Sequence, residues 1–199
     1  MEQGPLDRGR RMGIAGFIVR SITAGLLAGA AETAPASESV GDIVNYREYS
    51  ERLSSSGQPT ASQFPAVGEA GFERVVFLAY TDHEESVPHE DRIVSELGID
   101  YVQIPVDWEA PSSSDFNAFA GVMQRGPGKK TLVHCQVNFR ASAFSFLYRV
   151  LFEDADMAQA KADLDSVWVP NDTWRRFIFD VLEENGRSPH CDACLWSGG

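Results

Sequence analysis

Basic residues are scarce in this chain: 17 Lys and Arg stand against 29 Asp and Glu over 199 residues, a formal charge of −12. Such a balance argues against a general nucleic-acid partner, because phosphate contacts need clustered cations. It leaves room for a small anionic ligand, since a few backbone amides and one arginine can act locally against the global field. Long apolar runs are missing too. No uninterrupted stretch reaches the roughly 18 residues of a membrane span, so no stable span is expected. Cysteine is limited to Cys135, Cys191 and Cys194. The last two form Cys-Asp-Ala-Cys in a short polar tail, residues 187–199, that does not open a helix after a strand. A local disulfide or an incidental pair is therefore expected there rather than a thioredoxin-type redox site. A zinc site would need two more ligands, and His190 is the one obvious extra candidate nearby. Neither metal nor cofactor is expected.

What is present suits one soluble domain: 43% of residues are hydrophobic and 23% charged. Residues 1–31 read as a signal peptide or leader. Arginines flank a weakly apolar stretch, and Ala28-Gly29-Ala30 offers small residues at cleavage spacing. This favours a periplasmic or exported protein, with a cytoplasmic one as the alternative. Residues 32–44, rich in Ala, Ser, Glu and Pro, read as a linker. The folded body is placed at 45–186.

Within that body strand and helix signals alternate. Strands are expected at Arg52–Ser56, Arg74–Ala79, Tyr101–Val106 and in the apolar run ending at Cys135. Helices are expected after Thr60-Ala61-Ser62-Gln63, over Pro88–Leu97, after a cap at Ser113 or Ser114, after Arg140, over Met157–Val167, and after Asn171. The aromatic stripe Trp174, Phe177 reads as core. Alternation of this kind predicts an α/β fold: a central, mostly parallel sheet of four or five strands with helices on both faces.

The chemistry concentrates in Leu132-Val133-His134-Cys135-Gln136-Val137-Asn138-Phe139-Arg140-Ala141-Ser142. β-formers lead in and a helical pattern leads out, so Cys135 to Arg140 forms a tight strand-to-helix loop. Such a loop aims N–H groups and the positive end of a helix dipole at one spot, an anion cradle. A cysteine there reacts as its thiolate. The planar guanidinium of Arg140 can grip a phosphate bidentately opposite the sulfur. Asp107 falls at the carboxyl end of a second strand, where ligands of open α/β sheets bind, and is the candidate acid; Glu109 and Asp115 are held in reserve. By strand alternation His134 points away from Cys135, which gives it a supporting part.

On these residues, together with Ser55-Ser56-Gly57-Gln58-Pro59-Thr60, Ala70-Gly71-Phe72 and Ile104-Pro105-Val106-Asp107, the chain resembles bacterial protein-tyrosine-phosphatase-like proteins, over about residues 50–185. It is similar in particular to the group also found as the phosphatase-like domain beside β-lactamase-hydrolase-like proteins. The resemblance implies a dual-specificity-phosphatase-like fold and a cysteine-dependent phosphatase acting on phosphotyrosine or a small phosphorylated molecule. It implies Cys135 as nucleophile, Gln136, Val137, Asn138 and Phe139 as the amide cradle, Arg140 as phosphate binder, Asp107 as general acid, and a phosphorylated small molecule or phosphoprotein as partner. Three departures stand out. Four residues separate Cys135 from Arg140 where the family has five, and Asn138, tolerant of a left-handed backbone, takes the place of the loop glycine. Ala141 replaces the usual hydroxyl residue, leaving Ser142 as the supporting hydroxyl. The shorter loop is also that of rhodanese-type sulfurtransferases, so a persulfide carrier is the alternative, and an anion-binding pseudophosphatase a third.

Overall fold

The computed structural model describes Met1 and residues 38–196. The expected leader beyond Met1 and residues 32–37 of the expected linker lie outside the described residues. Five strands form the sheet: β1 (Arg47–Ser50), β2 (Leu53–Ser56), β3 (Arg74–Phe77), β4 (Asp100–Gln103) and β5 (Thr131–His134). Their order is β1-β2-β5-β3-β4; β1 runs antiparallel to β2 and every other pairing is parallel. β5 lies at the centre and is wholly buried, as its run of apolar and β-branched residues requires. The mostly parallel sheet with helices on both faces is thus as expected. β1 carries no apolar run of its own and was not anticipated.

Side chains alternate along the strands and split the core in two. Val75 and Leu132 face α1 (Phe64–Glu69) and α2 (Glu90–Glu96), together with Phe64, Val67 and Val94. Val76 and Val133 face the larger layer of α3 (Ser113–Gln124), α4 (Phe139–Phe152), α5 (Met157–Asp165) and α6 (Asp172–Glu184). α4 is buried over most of its circumference, so it sits inside this layer with little solvated face. It follows β5 directly. The best-packed strand and the best-packed helix therefore meet at one loop.

Several boundaries differ from the sequence reading. The cap of α3 is Ser112 rather than Ser113 or Ser114, because Ser112 and Asp115 close a reciprocal capping box three residues apart. The supposed linker carries Ile43, only 2% exposed, into the core of the α1/α2 face. The polar tail is not loose either. Trp196 is buried, its ring meets Phe146 and Phe179 edge-on, and its indole N–H donates to Pro189 O at 2.7 Å. Cys191 and Cys194 are joined as a disulfide in the turn that leads there. No helix among the described residues is long and apolar enough to cross a membrane.

Candidate active site

β5 ends at His134 and α4 begins at Phe139, leaving Cys135 to Asn138 to make the turn. Asn138 makes it possible. Its backbone is left-handed, φ 73° and ψ 0°, at the N-cap of α4, a conformation that asparagine adopts more readily than most residues. Its side chain fixes the turn in place: Asn138 Nδ2 donates to Asn45 O at 2.6 Å, and Asn45 Nδ2 donates back to Val137 O at 3.0 Å. On the adjoining side Gln58 N donates to Gln136 O at 2.9 Å. A Cβ at Gly57 would stand 2.8 Å from Gln136 O and 3.0 Å from Val44 O, so only glycine lets these three segments touch. The amides of Gln136, Val137, Phe139, Arg140 and Ala141 donate to no acceptor among the described residues. They are the unspent donors that a helix start leaves for an anion.

This loop borders a cavity of about 510 Å³. Cys135, a free thiol with no exposed surface of its own, lies at its edge, with Arg140, Trp108 and Phe139 among the lining residues. Arg140 is held in place by three contacts. Its Nε donates to Val106 O at 3.0 Å, its Nη1 to Gln136 Oε1 at 2.8 Å, and its guanidinium lies 5.3 Å from the Trp108 ring centroid. Trp108 packs in turn against Phe139, Trp168 and Trp174, and its carbonyl accepts from Trp174 Nε1. The aromatic core of the α4–α6 layer therefore reaches the cavity as one wall.

Not every expected residue joins the cavity. β3 lies between β4 and β5, so the strands leading to Asp107 and Cys135 are not neighbours. Asp107 is exposed, does not line the cavity, and its Oδ1 accepts the Glu109 amide at 2.8 Å. The segment still arrives: Val106 O touches Arg140, and Trp108, one residue beyond Asp107, lines the cavity. Asp115 is committed to the α3 cap, and Glu109 is exposed on the same loop. Ser142 is buried, donates to Phe139 O at 3.1 Å and accepts from Trp168 Nε1 at 3.2 Å. It braces the first turn of α4 against the aromatic wall.

His134 lies on the other face of the sheet from the α4 layer. It stacks on Phe77, its register partner, at 4.8 Å. Its Nε2 sits 2.9 Å from Glu90 Oε1, ion-pair range but off the hydrogen-bond direction. Glu90 is buried at the start of α2 and its other oxygen accepts from Gln58 Nε2 at 2.5 Å. Burial and then the Glu90 charge push the Tyr101 phenol well above the usual tyrosine range. The residues before Cys135 and after Gly57 are thus tied through one buried carboxylate.

Two lining residues carry no signal in the sequence. His83 and Glu85 enter the cavity from the loop after β3, which also bends back so that the Glu85 amide donates to His83 Nδ1 at 3.2 Å. Their position at the carboxyl end of β3, next to β5 in the sheet, was the one available pointer.

A thiol, an arginine and a set of unspent amides around one strand-to-helix loop, on a sheet of this order, define the class of cysteine-loop phosphatases of the protein-tyrosine and dual-specificity type. Comparison with solved structures agrees. The chain is 34% identical to a candidate phosphatase of the DUF442 family from Shewanella putrefaciens CN-32, over 71% of this chain and 91% of that one, with a TM-score of 0.65. It shares its fold with the core catalytic domain of the PP-IP phosphatase SIW14 of S. cerevisiae (16% identity, 68% and 84% covered, TM-score 0.57) and with TpbA of P. aeruginosa (16%, 68% and 83%, 0.53). No protein-family model and no curated protein matches the chain. The chain belongs to the DUF442 phosphatase family.

Proposed function

We propose that the protein hydrolyses phosphomonoesters through a phosphocysteine intermediate. The observation that carries this reading is that Cys135 and Arg140 border one cavity, at a loop where the amides of Gln136, Val137, Phe139, Arg140 and Ala141 have no acceptor among the described residues. The phosphate rests on those amides and on Arg140. The Cys135 thiolate attacks phosphorus in line; the S–P bond forms as the bond to the leaving oxygen breaks, and an acid protonates that oxygen. Water then attacks phosphorus and gives its proton to the same carboxylate, and the S–P bond breaks to return the thiolate and inorganic phosphate. Asp107 is the proposed acid, since its chain neighbours Val106 and Trp108 reach Arg140 and the cavity. The charge-assisted bonds to Arg140 and the helix start offset the negative charge that builds on the equatorial oxygens.

Phosphate release from an aryl phosphate tests the proposal. Cys135→Ser abolishes it, and Arg140→Ala lowers kcat/KM by a factor of about 100 or more. The four-residue spacing favours a second reading, a sulfurtransferase. Robust transfer of sulfur from thiosulfate to cyanide with no action on aryl phosphate establishes that one instead. Phosphate binding with neither turnover makes the protein an anion-binding pseudophosphatase. For the acid, Asp107→Asn slows poor leaving groups more than good ones. If Glu85→Gln shows that pattern and Asp107→Asn does not, the proton comes from the β3 loop.

A further inference from the structure

A second, open hollow of about 490 Å³ adjoins the Cys135 cavity. Glu85, Gln136 and Val137 line both, so the two are continuous along one wall. The rest of the second hollow is mostly apolar, with Pro59, Ala61, Val87 and Val44 along it. Val44 is 53% exposed and Val137 37%, two large apolar side chains left uncovered side by side. The walls are held firmly. Gly57 N donates to Val44 O at 2.6 Å, Ile43 anchors the chain before it, and Gln58 N secures the Gln136 carbonyl. Among the described residues no Lys, Arg or His lines this groove, and Glu85 is the one charged residue there.

In-line displacement puts the leaving oxygen opposite the sulfur, so the organic part of the ester points away from Cys135. The groove continues from the cavity along Glu85, Gln136 and Val137. We propose that the groove is a leaving-group subsite for an apolar, uncharged organic body whose single phosphate rests on Arg140. The inference rests on the phosphatase reading of the Cys135 loop and adds to it a substrate class. Burying apolar carbon in the groove favours long, oily esters over compact ones. A second phosphate on the same body meets no cation in the groove and faces the Glu85 carboxylate, so polyphosphorylated compounds are rejected.

Two phosphonates that cannot turn over separate this inference from the reading beneath it. Calorimetry on the full chain with phenylphosphonate and 4-butylphenylphosphonate is expected to show the butyl compound binding about tenfold tighter or better, the gain of a few buried methylenes. Ala61→Asp or Val44→Asp, both at exposed positions, brings the ratio of the two affinities close to one. Equal or undetectable affinity of the two compounds for the parent protein overturns the subsite, as does a ratio that both variants leave intact. In turnover, 4-butylphenyl phosphate is expected to exceed phenyl phosphate in kcat/KM by a similar factor, the two leaving groups being alike in acidity, while 1,4-phenylene bisphosphate is the poorest of the three. A bisphosphate that is the best substrate also overturns it. Absence of phosphate release from every ester, with the phosphonate preference intact, removes the phosphatase reading and leaves the groove.

Discussion

Asn138 holds the Cys135 loop by two means, and they can be separated by substitution. A left-handed backbone strains most side chains by roughly 1–2 kcal/mol, and the bond to Asn45 O adds roughly 1 kcal/mol where buried. Asn138→Ala adds strain that asparagine largely avoids and loses the bond, so it is expected to lower unfolding free energy by about 1–3 kcal/mol in urea titration. Asn138→Gly loses the bond alone and falls between the two. Gly57 is stricter. A methyl group there presses on two carbonyls that belong to backbone, so Gly57→Ala displaces Gln136 and is expected to reduce aryl phosphate turnover by more than tenfold while the fold persists, read by steady-state kinetics beside circular dichroism. Gln136 acts through its side chain as well: Oε1 accepts from Nη1, a donor that a phosphate oxygen would use. Gln136→Ala is expected to tighten competitive inhibition by inorganic phosphate about threefold or more; weaker inhibition would mean that the amide braces the arginine instead.

Among the elements, β1 shows how a polar edge is attached. Tyr49 lies under Arg149 at 4.6 Å and bonds Ser55 Oγ at 2.7 Å across to β2. Burial, partly offset by the bond to Ser55, pushes its phenol up to about 12. A pKa raised on folding contributes stability that is whole below the ordinary tyrosine value near 10 and is lost as pH climbs through 12. Urea midpoints are therefore expected to fall between pH 10 and 12, and less steeply in Tyr49→Phe. β1 itself was invisible in the sequence because its side chains follow a polar strand with no apolar alternation; pairing to β2 defines it. The helices were easier to read. Asn171 caps α6 through Trp174 N, and the Trp174, Phe177, Ile178, Val181, Leu182 stripe is buried as its spacing demands. Strand order was not legible in that way. Nothing local records that β3 would come between β4 and β5, so the strands that lead to Asp107 and Cys135 are not paired with each other. Cys135 and Arg140 were legible because they lie five positions apart on one strand-to-helix loop, whereas His83 and Glu85 reach the cavity from some 50 residues away through tertiary packing.

At the level of the whole molecule, the central helix α4 joins the Cys135 loop to the C-terminal segment. Its first turn carries Arg140, and its middle carries Phe146, on which Trp196 rests. Lys161 lies 4.5 Å from the same indole and donates to Leu195 O at 2.8 Å, so the C-terminal segment is fastened by apolar and polar contacts together. Trp196→Ala is expected to cost about 3–5 kcal/mol in thermal unfolding, the range for emptying a buried aromatic site. This has a practical side for anyone handling the protein. Shortening it to residue 190 would strip the cover from Phe146 and Phe179 and expose fresh apolar surface prone to clumping, whereas an affinity tag appended beyond Trp196 keeps that cover in place. Strong reductant in the buffer opens the small ring of Cys191 and Cys194 beside it, so storage stability with and without dithiothreitol becomes a direct reading of how much that ring helps the tryptophan stay seated.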